Sequence, residues 1–354
     1  MKKLVLVLLI VTLAAALPVF AGGGRERESE RDYDFVFGKV PYTFEHAYHQ
    51  SACRTLEEYA AREYNAKVII IDGEANAEVT LAAIENLIAQ GVDAMAMHTG
   101  DAGLSAAAVR LAHAANIPIV TTLIRPDIQT APHIQPMETA SSQYMGAEAA
   151  RQWKAAHPDK PIRVAMLNFG GIPQIWEMRT GAFFDGVKSI DPNAQLVTML
   201  NGYGSTVRSM EVTLDILQAN PEVNIIFGAN DEMALGALAA CEQLGRGKMN
   251  DGVPVSEIIA GLDASSAALV KIFDPDSSFK LTHGAVRDVA RAEADTMYGM
   301  VTGAIPVKEY FETQVLSQPI DFWNTSLAEA QRFLELNFFY TGSLAADVDA
   351  ARSR

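Results

Sequence analysis

The sequence predicts an α/β protein with parallel sheets flanked by helices, and three observations carry that reading. Short apolar, β-branched runs alternate with helical patterns over nearly the whole chain. The clearest unit, VNIIFGANDEMALGALAACEQL at 223–244, reads as buried strand, tight polar turn and helix. With roughly 320 residues after the leader, two sheets of about five strands fit better than one sheet of ten. In open sheets of this kind, ligands bind at the carboxyl ends of the strands.

The elements follow in order. Lys2 and Lys3 precede an apolar run at 4–17 broken by Thr12, and Val19-Phe20-Ala21 offers the small residues a signal peptidase reads. Residues 1–21 are therefore expected to be a secretory signal peptide, too short for a comfortable membrane span, with an uncleaved anchor as the rival. No Cys lies nearby to carry a lipid. The polar GGGRERESERD stretch at 22–32 is expected to be a disordered linker. Strands are expected at 35–40, 67–71, 94–97 and 117–122, with helices at 47–63, 77–90 and 104–115 between them. After a Pro-marked crossing at 125–136 the alternation restarts with helix 140–157, strand 163–167, helix 176–190, strand 195–200 and helix 206–220. In the 223–244 unit, Met233, Leu235, Ala237, Leu238, Cys241 and Leu244 make the apolar stripe, and Gly245 stops the helix. Strand 257–261, helix 264–273, strand 280–283 and helix 288–301 close the series. No short tandem repeat is present.

The chain carries 28 Lys and Arg against 43 Asp and Glu, and its formal charge of −15 becomes −17 without Lys2 and Lys3. So acidic a surface argues against nucleic acid or anionic lipid as a partner. Cys53 and Cys241 fall on apolar helix faces and read as buried free thiols, although an export compartment permits a disulfide. No phosphate-binding loop, dinucleotide fingerprint, nucleophile elbow or zinc-protease motif occurs. His46 and His49 lie three apart, but no Cys or third clustered His supports a metal site. The absence of these motifs argues against an enzyme, and no cofactor or metal is expected.

At 223–244, Asn230 and Asp231 stand where a strand ends and a helix begins. They either face a ligand or cap the helix, and the pattern leaves both open. ANDEMALGAL (229–238), AANIPIVT (114–121), GVDAMAMHTGDA (91–102) and GLDAS (261–265) together resemble the ribose- and galactose-type periplasmic sugar-binding proteins. The same ligand-binding core serves lactose-repressor-like regulators. The likeness spans nearly all of 33–316, and the order of the motifs strengthens it. It implies two Rossmann-like lobes joined by three crossings, 33–138 with 286–316 and 139–285 with 317–340, before a polar tail at 341–354. The ligand would be clamped in the cleft between the lobes.

Residue by residue, the resemblance implies that Asn230 bonds ligand hydroxyls and that Asp263, in GLDAS, accepts from two neighbouring hydroxyls. A helix cap is the alternative for Asp263. Arg179, in EMRTGAF, matches the family's Arg and would hold ligand oxygens, where a surface role is the alternative. His98 stands where the family often has Asn. Tyr48 and His49 fall near the aromatics that sandwich a sugar ring, or pack at the head of the first helix. Tyr203 in NGYGST and Trp176 in GGIPQIWEMR are cleft candidates by position. Arg125, in TTLIRP, lacks the Asp that precedes the family's Arg, and Ala285 or Val286 stands where a Gln is common. These departures imply a ligand that is smaller, less hydroxylated or held differently from a pyranose. The resemblance further implies a monomer in the periplasm that takes a sugar, polyol or related small molecule. Its partner would be a membrane permease of the ABC type, or alternatively a chemoreceptor or sensor kinase.

Overall fold

The computed structural model describes residues 33–353. The leader and linker expected at 1–32 lie outside the described residues. The chain runs β1 (Phe35–Val40), α1 (Ala47–Tyr64), β2 (Ala66–Ile70), α2 (Ala77–Ala89), β3 (Ala94–His98), α3 (Ala102–Ala114), β4 (Ile119–Thr122) and β5 (His133–Pro136). It continues through α4 (Glu138–Ala156), β6 (Arg163–Asn168), a short α5 (Pro173–Ile175), a π-helical turn (Trp176–Gly181), α6 (Ala182–Ile190) and β7 (Gln195–Asn201). Next come α7 (Thr206–Ala219), β8 (Ile225–Gly228), α8 (Asp231–Gln243) and a small hairpin of β9 (Met249–Asn250) and β10 (Val253–Pro254). The last elements are β11 (Ile258–Ala260), α9 (Ser266–Phe273), β12 (Phe279–Gly284), α10 (Val286–Val301), β13 (Glu312–Val315), β14 (Gln318–Asp321), α11 (Leu327–Phe338) and α12 (Leu344–Arg352).

Two six-stranded sheets result, ordered β13-β5-β4-β3-β1-β2 and β14-β12-β11-β8-β6-β7. Every pairing in them is parallel except β12 with β14. Both sheets follow the same winding, in which the second strand of the lobe lies outside the first and the third lies on the first strand's other side. The strand order therefore reverses between β1 and β3 and again between β6 and β8, and a crevice opens outside the carboxyl ends there. The chain passes between the sheets three times: at Met137 between β5 and α4, at Ala285 between β12 and α10, and at 316–317 between β13 and β14. His283 ties these crossings together, with Nδ1 2.7 Å from Ser317 Oγ and Nε2 3.2 Å from Ser142 Oγ.

Strand residues sort by parity, as the two-residue period requires. Ala94 and Ala96 of β3 pack into one core of the first sheet, and Met95 and Met97 into the core on its other face. The second sheet encloses its own core around Phe183 and Phe227, whose rings stack at 4.4 Å. Both cysteines are buried and free. No helix among the described residues is long and apolar enough to cross a membrane.

Several elements depart from the sequence expectation. The single helix expected at 176–190 is a π-helical turn followed by α6. Helix α9 starts at Ser266 rather than 264, because Ser265 caps it. Strands β5, β13 and β14 and the helices α11 and α12 carry no expectation at all. β5 and β13 are four residues long and pair with each other at the sheet's edge, too short for alternation to register. Residues 341–353 are not wholly polar in their setting, since Leu344 and Val348 of α12 are buried in the second sheet's core.

Candidate functional site

The carboxyl ends of both sheets' strands converge on one cavity with about 570 Å³ of atom-free space, part of it open to solvent. The first sheet contributes Tyr42 and His46 from the loop after β1, Tyr48 and His49 from the first turn of α1, His98 from the end of β3, and Leu123 and Ile124 after β4. The second contributes Phe169 after β6, Arg179 from the π-helical turn, Asn230 after β8 and Asp263 after β11. These positions include both points where strand order reverses.

Of the residues singled out from sequence, Asn230, Asp263, Arg179, His98, Tyr48 and His49 are brought together in this wall. Three stand elsewhere. Tyr203 is 58% exposed in a left-handed turn, with the Arg208 guanidinium 5.3 Å over its ring. Trp176 opens the π-helical turn but is 38% exposed and outside the lining. Arg125 points to β13, where Glu312 takes its guanidinium at 2.8 and 3.1 Å. The preceding Leu123 and Ile124 line the cavity instead.

Asn230 and Asp263 are held in different ways. Asn230 is the N-cap of α8: its Oδ1 accepts from Met233 N–H at 2.9 Å, while Nδ2 makes only a long 3.4 Å contact with Gly204 O. Asp263 caps nothing. The α9 cap is Ser265, whose Oγ accepts from Ala268 N–H. Asp263 has φ of +115°, a backbone region L-residues rarely adopt, which aims its carboxylate at the cleft rather than along α9. No described residue donates a hydrogen bond to that carboxylate. Burial and then the Glu232 charge push its pKa well above the usual carboxylate range, against Arg179, which pulls it down. The neighbouring Asp231 turns away into the second lobe, accepting from Ser265 N–H at 2.7 Å and Thr282 Oγ1 at 2.8 Å.

Arg179 is buried and paired with a residue the sequence did not single out. Glu138, the first residue of α4, takes Nε at 2.7 Å and Nη2 at 2.9 Å, and Nη1 donates to Ala229 O at 2.7 Å. Two of its five N–H groups remain for a ligand. Glu138 was illegible because β5, which sets the start of α4, was itself unrecognised. Tyr42 and Phe169 were also missed, though each follows a recognised strand by a residue or two.

The first sheet's side of the cavity is a cluster of rings. His49 lies 4.6 Å from His98 and 5.1 Å from Tyr48, both edge-on, and Tyr42 stands 6.2 Å from His49. The fold thus brings a third imidazole to the His46–His49 pair. Even so, no group of three or more His, Cys, Asp or Glu among the described residues is placed to hold a metal ion. Burial lowers the pKa of His49 and His98 well below the ordinary value, which keeps both imidazoles neutral, each with one donor and one acceptor. Burial also pushes the Tyr48 phenol up, with Glu293 and Asp263 adding to it, so it remains a hydroxyl donor.

The two sides meet across the cleft's mouth. Gln174 Oε1 accepts from Arg125 N–H at 2.9 Å, and its Nε2 donates to Arg125 O at 3.1 Å. Chain leaving β4 of the first sheet is thereby clasped to chain leaving β6 of the second.

Residues 37–304 match a family profile described as a periplasmic binding protein domain. Over 283 residues, 77% of this chain and 85% of the relative, the sequence is 29% identical to the ribose import binding protein RbsB of Bacillus subtilis (strain 168). A Caulobacter myo-inositol binding protein bound to myo-inositol superposes with a TM-score of 0.73 at 20% identity, over 86% of this chain and 98% of that one. A Mycobacterium smegmatis structure in complex with β-D-fucofuranose gives 0.71 at 21% identity, over 89% and 98%. These structural likenesses establish the fold, and the relatives are binding proteins rather than enzymes. With well over half its length inside the matched profile, the chain belongs to the periplasmic binding protein domain family.

Proposed function

We propose that this protein captures a sugar or polyol in the cleft and delivers it to an ABC-type permease from the periplasm. One observation carries the reading. The Asp263 carboxylate, the Tyr48 hydroxyl and the His49 and His98 imidazoles all line a largely buried cavity without a hydrogen-bond partner among the described residues. Polar groups cannot stay unpaired in so buried a place without cost, and a polyhydroxy ligand supplies both donors and acceptors. The surrounding rings of Tyr42, Tyr48 and Phe169 suit the C–H faces of a compact ring. Relatives named for ribose import, and structures holding myo-inositol or a fucofuranose, favour the same class and favour transport over a sensor role.

In this reading residues 33–138 with 286–316 form one jaw and 139–285 with 317–340 the other, closing about the three crossings. A thermal-shift and calorimetry screen of pentoses, hexoses and inositols tests it. A specific ligand at one hundred times its dissociation constant should stabilise the fold by about 2.7 kcal/mol. Absence of any shift across the panel would overturn the assignment.

A further inference from the structure

The pole of the second lobe opposite the cleft carries a second cavity. Arg163, Asn224 and Ser256 stand at the amino ends of β6, β8 and β11, three neighbouring strands whose carboxyl ends lead to the cleft residues Phe169, Asn230 and Asp263. The cavity there has about 850 Å³ of atom-free space, part of it open to solvent. Its wall is apolar where Trp153, Pro161, Pro221, Val223 and Val255 line it, and basic where Lys160, Arg163 and Arg246 do. In a chain of formal charge −15, three cations against one lining carboxylate, Glu222, reverse the sign locally. Arg246 is already engaged, with Nε on Glu257 at 2.8 Å and Nη1 on Pro221 O at 3.0 Å. Lys160 and Arg163 are not: neither side chain makes an ion pair or a hydrogen bond among the described residues. Cations that merely offset the helix ends at this pole would bond the carbonyls there, as Arg246 does and as Lys154 does with Pro158 O. The site is also rigid. Arg163 N–H donates to Asn224 Oδ1 at 2.9 Å, and Asn224 Nδ2 to Pro161 O at 2.8 Å. Trp153 is 2% exposed, with His157 packed on its ring at 4.3 Å and the Lys160 ammonium 5.8 Å over it. Its indole N–H is buried without an acceptor.

We infer that this cavity is a second binding site, for a small organic anion whose carboxylate or phosphate head meets Lys160, Arg163 and the Trp153 N–H while its apolar body lies on the prolines and valines. Such a head supplies what all three groups lack: acceptors for their N–H donors and, for Lys160 and Arg163, the opposite charge. The guanidinium fork matches two oxygens of one head. A buried donor without an acceptor calls for a partner that surface cations alone do not explain. The acidic surface around the cavity repels an extended polyanion, whereas a small anion reaches the basic concavity alone. The site shares no residue with the cleft and does not depend on what the cleft holds.

Benzoate and phenyl phosphate, with neutral benzamide as the matched control, test the inference on the full chain. Calorimetry reads affinity, and NMR reads the indole N–H resonance of Trp153, identified by its loss in Trp153→Phe. At least one of the two anions should bind saturably and shift that resonance, and benzamide should bind about tenfold more weakly or less. Replacing both cations, Lys160→Gln with Arg163→Gln, should lower the anion's affinity by about tenfold or more and leave sugar or polyol binding in the cleft unchanged. Benzamide binding as tightly as benzoate would reduce the cavity to an apolar groove and overturn the inference. So would a Trp153 resonance that neither anion shifts, an undiminished affinity in the double variant, or binding only to vesicles containing phosphatidylglycerol. The comparison of benzoate with benzamide stands even if the double variant folds poorly. None of these outcomes bears on the sugar or polyol reading of the cleft.

Discussion

Asn230 and Asp263 look alike in sequence, each a short polar residue between a strand and a helix, yet their surroundings give them different thermodynamics. Asn230→Ala removes a helix cap as well as a cleft donor, so it should lower stability by about 1 kcal/mol and also weaken binding. Asp263→Ala removes no cap and relieves an unpaired buried carboxyl. It should lower affinity tenfold or more, since a lost partner costs roughly 1–3 kcal/mol, with an undiminished melting temperature. Ser265→Ala is the control, expected to lose about 1 kcal/mol of stability at unchanged affinity. Calorimetry with melting curves on the three variants separates the roles; a destabilised Asp263→Ala with normal binding would make it structural. Sequence placed Asn230 and Asp263 at strand ends and Ser265 inside the helix expected at 264–273, but which of Asp263 and Ser265 caps α9 depends on the positive φ at 263, which no local pattern reports.

Among the elements, the pair α4 and α6 decides the site. A Cβ at Gly146 would overlap the Phe183 carbonyl, and one at Gly186 the Gln143 carbonyl, so the helices cross with backbones in contact. That approach brings Glu138, at the start of α4, against Arg179, in the π-helical turn leading into α6. Gly186→Ala sets two effects against each other. Helix propensity favours Ala by roughly 0.5–1 kcal/mol, while forcing two helices apart costs typically about 1–3 kcal/mol. The overlap is with backbone, which cannot rotate away, so the loss should win. Urea unfolding is expected to give a net destabilisation, with affinity falling as Arg179 shifts; a more stable variant would refute the close crossing. The alternation of strands and helices was legible because each element buries a periodic apolar face. The π-helical turn was not, since it is a single wide turn inside an otherwise helical run, too short for a change of period to register.

For the whole molecule, closure and pH response follow from contacts that join distant parts. Gln174→Ala removes both bonds that clasp Arg125 across the mouth without touching the cavity wall. At roughly 0.5–1.5 kcal/mol per bond, affinity should fall by about tenfold, mostly through faster release. Stopped-flow dissociation measures it, and an unchanged release rate would remove the clasp from the mechanism. Buried histidines shape the acid response, among them His283, whose burial lowers its pKa from 6.5 to about 3. Between those values the unfolded chain binds a proton that the native state refuses, so stability is full above about 6.5 and is lost as pH falls. His133, lowered to about 4 by burial, and His49 and His98, lowered well below the ordinary value, act in the same direction. Asp231, raised by burial to about 7, acts oppositely, its contribution present at low pH and lost as pH rises from about 4 to 7. His283→Gln, which can still reach Ser142 and Ser317, should flatten the decline in urea midpoint between pH 6.5 and 4. An equally steep decline would assign the acid limb to other groups.

The sequence by itself determined the alternation, hence the α/β class with two parallel sheets, and with it the strand ends where Asn230, Asp263 and His98 stand. Those features are local: a periodic apolar face fixes an element, and a strand's carboxyl end fixes where a ligand can approach. Only the tertiary structure decided the pairings. Arg125 meets Glu312 187 residues away and is withdrawn from the cleft. Arg179 meets Glu138 41 residues back and is kept in it. His98 joins His49 because β3 lies beside β1. Charge balance in the cleft, and therefore the unpaired Asp263, depends on which side chains the sheet order brings within a few ångströms. No periodicity along the chain encodes that distance.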